Sequence, residues 1–250
     1  MPESSSVTQP AAESFRGFEP IDANYVYCPN QFFDVCLPHY SRGVVRLVAF
    51  MLRQTLGFRD EHGNPIRQDV SLSYADLTRA GISRGAIRKA LNDAIAGGFV
   101  ECVQAGKAKA TGTDGQTAQY RLRWGTEESY IKDTRAFRGF YAGVGNRSPI
   151  PNAFFDTVVP SETLAVVKVV GAVLRFTVGY ENQFGRPSQA PLSYSYIQRY
   201  AKIGDRTTIA HAIKHATHLG YIRRVDEGQF NSDERRRRPA TYAVKWLDGA

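Results

Sequence analysis

The sequence lacks any apolar run long enough to span a membrane, and its first fourteen residues are polar and acidic where a secretion signal would be basic and then greasy. A soluble, cytoplasmic protein with no membrane partner is therefore expected. Cysteine is scarce: Cys28, Cys36 and Cys102 are odd in number and contain no C-x-x-C pair, which argues against a disulfide framework and a zinc knuckle. Reduced, mostly packed thiols are expected. There is no P-loop, no dinucleotide-binding glycine pattern, no serine nucleophile elbow and no Cys–His arrangement. Nor do carboxylates cluster as a metal-dependent nuclease would need. The expectation is a protein that is not an enzyme and uses no cofactor and no metal.

Positive charge is plentiful, with a formal net charge of +8. Its placement is uneven: residues 1–24 carry −3, 25–124 carry +5, 125–146 are neutral, and 147–250 carry +6. Two basic blocks flanking a neutral one suggest two surfaces that each face a polyanion.

An internal repeat explains the two blocks. Phe15-Arg16-Gly17-Phe18 returns as Phe137-Arg138-Gly139-Phe140, and the PNQFFD at 29–34 returns as PNAFFD at 151–156, both at a shift of 122 residues. The segment from Leu52 to Phe58 matches Leu174 to Tyr180 at the same shift, as Tyr120 and Trp124 match Tyr242 and Trp246. The organisation read from this is a flexible tail at 1–14, one domain at 15–124, a linker at 125–136 and a second domain at 137–250. Extended, a linker of that length reaches about 40 Å at most.

Within each copy the periodicities predict the same order of elements. The span from Ser41 to Thr55 sets Val44, Val45, Val48, Met51 and Leu52 at helical spacing, with Arg42, Arg46 and Arg53 off that face. Its counterpart is expected to start at Pro160-Ser161-Glu162, with Ser161 as N-cap. Short strands near 70–72 and 191–192 lead to Ser73 and Ser193, each placed to cap a second helix. A tight turn follows at Ala80-Gly81-Ile82 or Lys202-Ile203-Gly204, then a third helix that Ser83-Arg84 or Asp205 opens. Strands at 99–103 and 221–225, a polar loop and returning strands at 119–124 and 241–246 make a hairpin. Helix, strand, helix, turn, helix and hairpin is the order of a winged helix. The fold class expected is α+β, mainly α, with two tandem winged helix-turn-helix domains from an internal duplication.

A helix fits the B-DNA major groove when one face is held on a core and the other carries hydrogen-bonding side chains. In the first copy Ala86, Ile87, Ala90, Leu91 and Ile95 are predicted to face inward, leaving Ser83, Arg84, Arg88, Lys89 and Asn92 as candidate DNA contacts. In the second copy Ile209, Ala212, Ile213 and Ala216 are inward, and Arg206, Thr207, Thr208, His211, Lys214 and His215 are the candidates. Lys107 and Lys109 in one wing loop, and Arg235, Arg236, Arg237 and Arg238 in the other, suit phosphate or minor-groove contact. Solvated helix faces are the plain alternative for such residues. His211, His215 and His218 have ligand spacing but no completing Cys or carboxylate. Asp34 and Asp156 read as caps beside packed Phe pairs, and the two FRGF elements as arms anchored to each core.

The PNxFFD element, the LRQTLGF helix end and the run LSYADLTRAGISRGAIRKALNDAIAGGFV resemble the amino-terminal DNA-binding domain of the bacteriophage replication protein O family and of related plasmid and phage initiators. About 75 residues of the first copy carry the resemblance, and the second copy follows it more loosely through LRFTVGY. It implies an origin-binding winged helix, with Ser83, Arg84, Arg88 and Lys89 on the recognition helix. A second winged helix stands where the phage protein has a partner-recruiting tail, a plan shared with several plasmid initiators. The expected partner is double-stranded DNA, bound by a monomer or weak oligomer. Replication proteins are the further partners of an initiator, and RNA polymerase those of a transcriptional regulator with the same chemistry. A protein-interaction module is the third reading.

Overall fold

The computed structural model describes residues 15–247 except 23, 108–115, 127, 182, 230–231 and 234–236. The expected tail at 1–14 and the candidates Lys109, Arg235 and Arg236 lie outside the described residues. Among the described residues no helix is long and apolar enough to cross a membrane.

The chain is α+β, with helices packed among small sheets, and its order of elements runs twice. Strand β1 (Tyr25–Pro29) is followed by a π-helical turn, Phe32–Cys36, the short α1 (Leu37–His39) and the long α2 (Arg42–Leu56). After β2 (Asp69–Ser71) come α3 (Tyr74–Arg79), a 3-10 turn at Arg84–Ala86, α4 (Ile87–Ala96), β3 (Val100–Gln104), β4 (Gln119–Leu122) and β5 (Trp124–Gly125). The second pass has β6 (Phe140–Tyr141), β7 (Arg147–Pro151), a π-helical turn at Phe154–Val158, α5 (Val159–Ser161) and α6 (Leu164–Phe176). It closes with β8 (Ala190–Pro191), α7 (Tyr194–Ala201), α8 (Arg206–His218), β9 (Ile222–Asp226) and β10 (Thr241–Val244). In each pass the returning hairpin strand sits between the other two, in the orders β2-β4-β3 and β8-β10-β9.

Local chemistry fixes the helix starts. Ser41 and Thr163 each accept a hydrogen bond from the backbone N–H three residues on, from Val44 and Val166. Thr163 thus replaces the expected Ser161, which ends α5 because Glu162 and Thr163 are extended. Ser73 and Asp76 form a reciprocal capping box at α3. Lys202 turns left-handed at φ 52° to end α7, and Asp205 accepts from Thr208 N at 2.8 Å to start α8.

The two passes join across a local two-fold axis. Strands β1 and β7 pair antiparallel with Val26 opposite Ile150, Tyr27 opposite Pro149 and Cys28 opposite Ser148. Since β7 is β1 shifted by 122, this register is symmetric about the Tyr27–Pro149 pair. The aromatic contacts obey the same symmetry: Phe32 meets Phe155 at 6.1 Å and Phe33 meets Phe154 at 5.9 Å, all four rings buried. Their burial belongs to one continuous core that includes residues of both copies.

The FRGF arms cross over. Phe18 N donates to Lys245 O at 2.8 Å and Phe15 packs on Tyr221 at 4.9 Å, so the first arm lies on the second copy. Reciprocally, Phe140 N donates to Arg123 O at 2.8 Å and Phe137 packs on Phe99 at 4.9 Å. Each arm was expected on its own core; the short path from Trp124 to Phe137 instead delivers the second arm to the first copy. Gly17 and Gly139 sit at φ 148° and 155°, and a Cβ at Gly139 would meet Gly125 N at 2.5 Å. The linker is bound rather than free, since Gln31 donates to Ile131 O at 2.7 Å and Tyr130 donates to Asp34 at 2.8 Å.

Asp34 and Asp156 are not caps. Asp34 takes Arg175 Nε at 3.1 Å, and Asp156 takes Arg53 Nε at 2.9 Å, each ion pair linking one copy to the other. Arg46, expected on the outer face of α2, is buried; it donates to the carbonyls of Val159 (2.9 Å), Glu162 (3.2 Å) and Gly81. Burial draws its guanidinium down to about 10, still protonated at neutral pH. Lys168, its counterpart, donates to Pro38 O at 3.0 Å and Lys202 O at 3.4 Å.

The two ion pairs differ in depth. Asp34 is 5% exposed in its side chain and also accepts from Tyr200 at 2.9 Å, whereas Asp156 is 48% exposed. Breaking a buried pair strands the remaining charge, at about 3–5 kcal/mol, whereas an exposed pair contributes at most about 1 kcal/mol. Asp34→Asn is therefore expected to lower the urea-unfolding free energy several times more than Asp156→Asn; equal losses would contradict this account.

Candidate nucleic-acid interface

Helix α4 is held by Ile87, Ala90 and Ala94, which are all buried. Ala86 and Leu91 are half-buried, and Ile95, expected inward, is 36% exposed. At 100° per residue Ile95 lies about 80° beyond Ile87, off the edge of the stripe, and Ala94 takes the inner place. Helix α8 keeps Ile209, Ala212, Ile213 and Ala216 buried, as its spacing predicts.

The opposite faces carry the predicted candidates. Ser83, Arg84, Arg88, Lys89 and Asn92 are all exposed along the turn into α4 and its outer face. Among the described residues Arg84 and Arg88 belong to no ion pair, while Lys89 pairs with Asp93 at 2.7 Å, one helical turn on. Arg42, not predicted as a contact, is exposed where the start of α2 meets Ser83 and Ala86, around a depression of about 270 Å³. Its signal was present in the sequence only as a charge off the apolar face of the first helix.

In the second copy Arg206, Thr207, His211, Lys214 and His215 are exposed. Thr208 is half-buried and committed to the helix cap, its hydroxyl donating to Asp205 at 2.5 Å. The side chains of His211, Lys214, His215 and His218 line a groove of about 510 Å³ against Thr163, Ala165 and Val166 at the start of α6. Among the described residues no group of three His, Cys, Asp or Glu side chains is placed to hold a metal.

His215 has a second commitment. Its Nε2 lies 3.0 Å from Glu162 Oε2, and Glu162 Oε1 accepts from the Tyr221 hydroxyl at 2.9 Å. Burial, and then the carboxylate of Glu162, raises the Tyr221 phenol above its ordinary range, so it stays a donor. At the matching positions of the first copy, Tyr40 and Phe99 stack edge to face at 4.7 Å. One third helix is thus pinned by a polar triad and the other by an aromatic pair.

Two hairpins flank these helices. Lys107 and Gln116 close the first hairpin through paired backbone bonds of 2.8 and 2.9 Å, and Gln229 and Arg238 close the second at 2.8 and 3.0 Å. Lys107, Arg237 and Arg238 are exposed. A cleft of about 770 Å³ opens between the second wing and the helices, lined by Arg206, Arg224, Arg237 and Arg238. Arg224 was not predicted, because the strand carrying it reads as apolar. No family model matches the chain, and no curated protein matches it.

Proposed function

We propose that the chain binds double-stranded DNA as two tandem winged helix-turn-helix domains, the product of an internal duplication, with α4 and α8 as recognition helices in successive major grooves of one duplex. The observation that carries the reading is that both third helices keep their apolar stripes buried and turn an arginine-bearing polar face to solvent beside a hairpin. The local two-fold axis supports a single duplex as ligand, since a protein dyad is matched by a dyad in the site. Separation of the two helices follows from the packed interface rather than from the length of residues 125–136. The two faces differ in sequence: Arg88 stands where the second copy has Ala210, and Lys89 where it has His211. Dissimilar half-sites about one turn apart, roughly 34 Å, are therefore the expected target.

The biological role we propose is initiation of plasmid or phage replication, supported by the sequence resemblance of the first copy. Selection from a random-duplex pool is expected to enrich one bipartite motif spanning about two turns; recovery of no motif would remove the site-specific reading. With that motif in hand, Arg88→Ala should cost about 1–3 kcal/mol on the preferred site and relax preference at a single base position. Uniform weakening on all sequences would assign Arg88 to the backbone instead. For the replication role, a DNA circle carrying only the gene, its flanking DNA and a resistance marker should be maintained in a host cell. The double substitution Arg84→Ala and Arg88→Ala should abolish that maintenance, and failure of the unaltered circle to persist favours a regulator.

A further inference from the structure

We infer that the cleft beneath the second wing is a seat for a backbone phosphate, with no equivalent in the first copy, so that the C-terminal half supplies most of the sequence-independent hold on the duplex. This rests on the DNA-binding reading above and adds a division of labour to it.

The cleft is built from three directions. Ser193, Tyr194 and Ser195 contribute the start of α7, Arg206 the start of α8, and Arg224 and Arg238 the two strands of the wing. Arg206 is already turned toward it, with Nη2 2.9 Å from Ser195 Oγ. Arg238 is carried on the backbone bridge to Gln229, so its position is fixed by the hairpin. The carboxylate lining the cleft, Glu227, is paired with Arg224 at 2.5 Å. Arginines therefore outnumber it, and the net positive charge of the lining suits a phosphate diester.

Arg224 is held from below. Tyr242 is fully buried beneath the cleft, and the Arg224 guanidinium lies 5.6 Å from its ring centroid and donates toward its hydroxyl.

The first copy keeps Arg84 at the place of Arg206 and Ser73 and Tyr74 at those of Ser193 and Tyr194, but lacks the hairpin arginines. At the shift of 122, Cys102 stands for Arg224 and Gln116 for Arg238. At the head of α3 the capping box puts the Asp76 carboxylate where a phosphate would have to sit, while the first turn of α7 has no acid. On the first hairpin Lys107 stands at the place of Gln229, and Arg121 is paired with Asp69.

The test is a salt series of full-length protein binding to a labelled random-sequence duplex, read by fluorescence anisotropy. Arg224→Gln with Arg238→Gln should lower the slope of log K against log salt by about 0.9, the loss of one phosphate contact, and Lys107→Gln by less than that. Arg224 packs over Tyr242, so Arg238→Gln alone, at an exposed position, carries the test if the double variant fails to fold. Duplex binding with an unchanged slope in the cleft variants overturns the seat and leaves the DNA reading standing. If the unaltered protein binds no duplex, the DNA reading fails. The seat is then judged by titrating inorganic phosphate and following backbone amide resonances: shifts at Tyr194 and Ser195 support an anion site, and their absence overturns it. Phosphate shifts there together with an unchanged duplex slope assign the cleft to a free anion and overturn its role on DNA.

Discussion

The antiparallel pairing of β1 with β7, centred on Tyr27 opposite Pro149, is the contact on which the rest of the molecule is built. It is an isologous interface of the kind that joins identical subunits, here within one chain. Because the pairing is symmetric, everything attached to β1 has a partner attached to β7: the phenylalanine pairs, the Asp34–Arg175 and Asp156–Arg53 ion pairs, and the crossed arms. The covalent link makes this association intramolecular, with the high effective concentration that a short connection brings. Neither copy is complete alone, since the ring that covers Phe99 is Phe137 and the ring that covers Tyr221 is Phe15.

The division between what sequence made legible and what it hid follows the same line. Period, caps and turns are local, and they located every long helix: Ser73, Ser193 and Asp205 cap the helices that their positions announce. The exposed faces of α4 and α8 are equally local, because a buried stripe determines its own opposite. What was misread depends on the other copy. Arg46 looks like a solvent residue of an amphipathic helix and is buried because carbonyls of Val159 and Glu162 arrive from 113 and 116 residues away. Asp34 looks like a cap beside two Phe residues, and only the two-fold arrangement brings Arg175 to it. No one-dimensional pattern distinguishes an arm anchored in its own core from one anchored in its neighbour's.

The two copies differ in sequence, and the buried polar groups show how far. The position of Asp34 is enclosed by Arg175, Tyr130 and Tyr200, and burial together with this carboxylate raises both phenols. Its counterpart Asp156 keeps a single arginine and faces solvent. Where the first copy has Tyr40 and Phe99 the second has Glu162 and Tyr221, joined by His215 on α8. A polar triad is directional where an aromatic contact tolerates sliding, so α8 is oriented on its core more tightly than α4. That inequality matches the placement of the arginine-lined cleft, which also belongs to the second copy.

The polar clamps make strand register a functional quantity. Side chains of a strand repeat every two residues, so β1 could slip two places along β7 and still present its buried face to the core. Such a slip would move one copy about 7 Å relative to the other. Arg175 resists such a slip, because displacing it leaves the buried Asp34 carboxylate without its partner. The buried pair therefore fixes the register of one copy on the other more firmly than the exposed Asp156–Arg53 pair does.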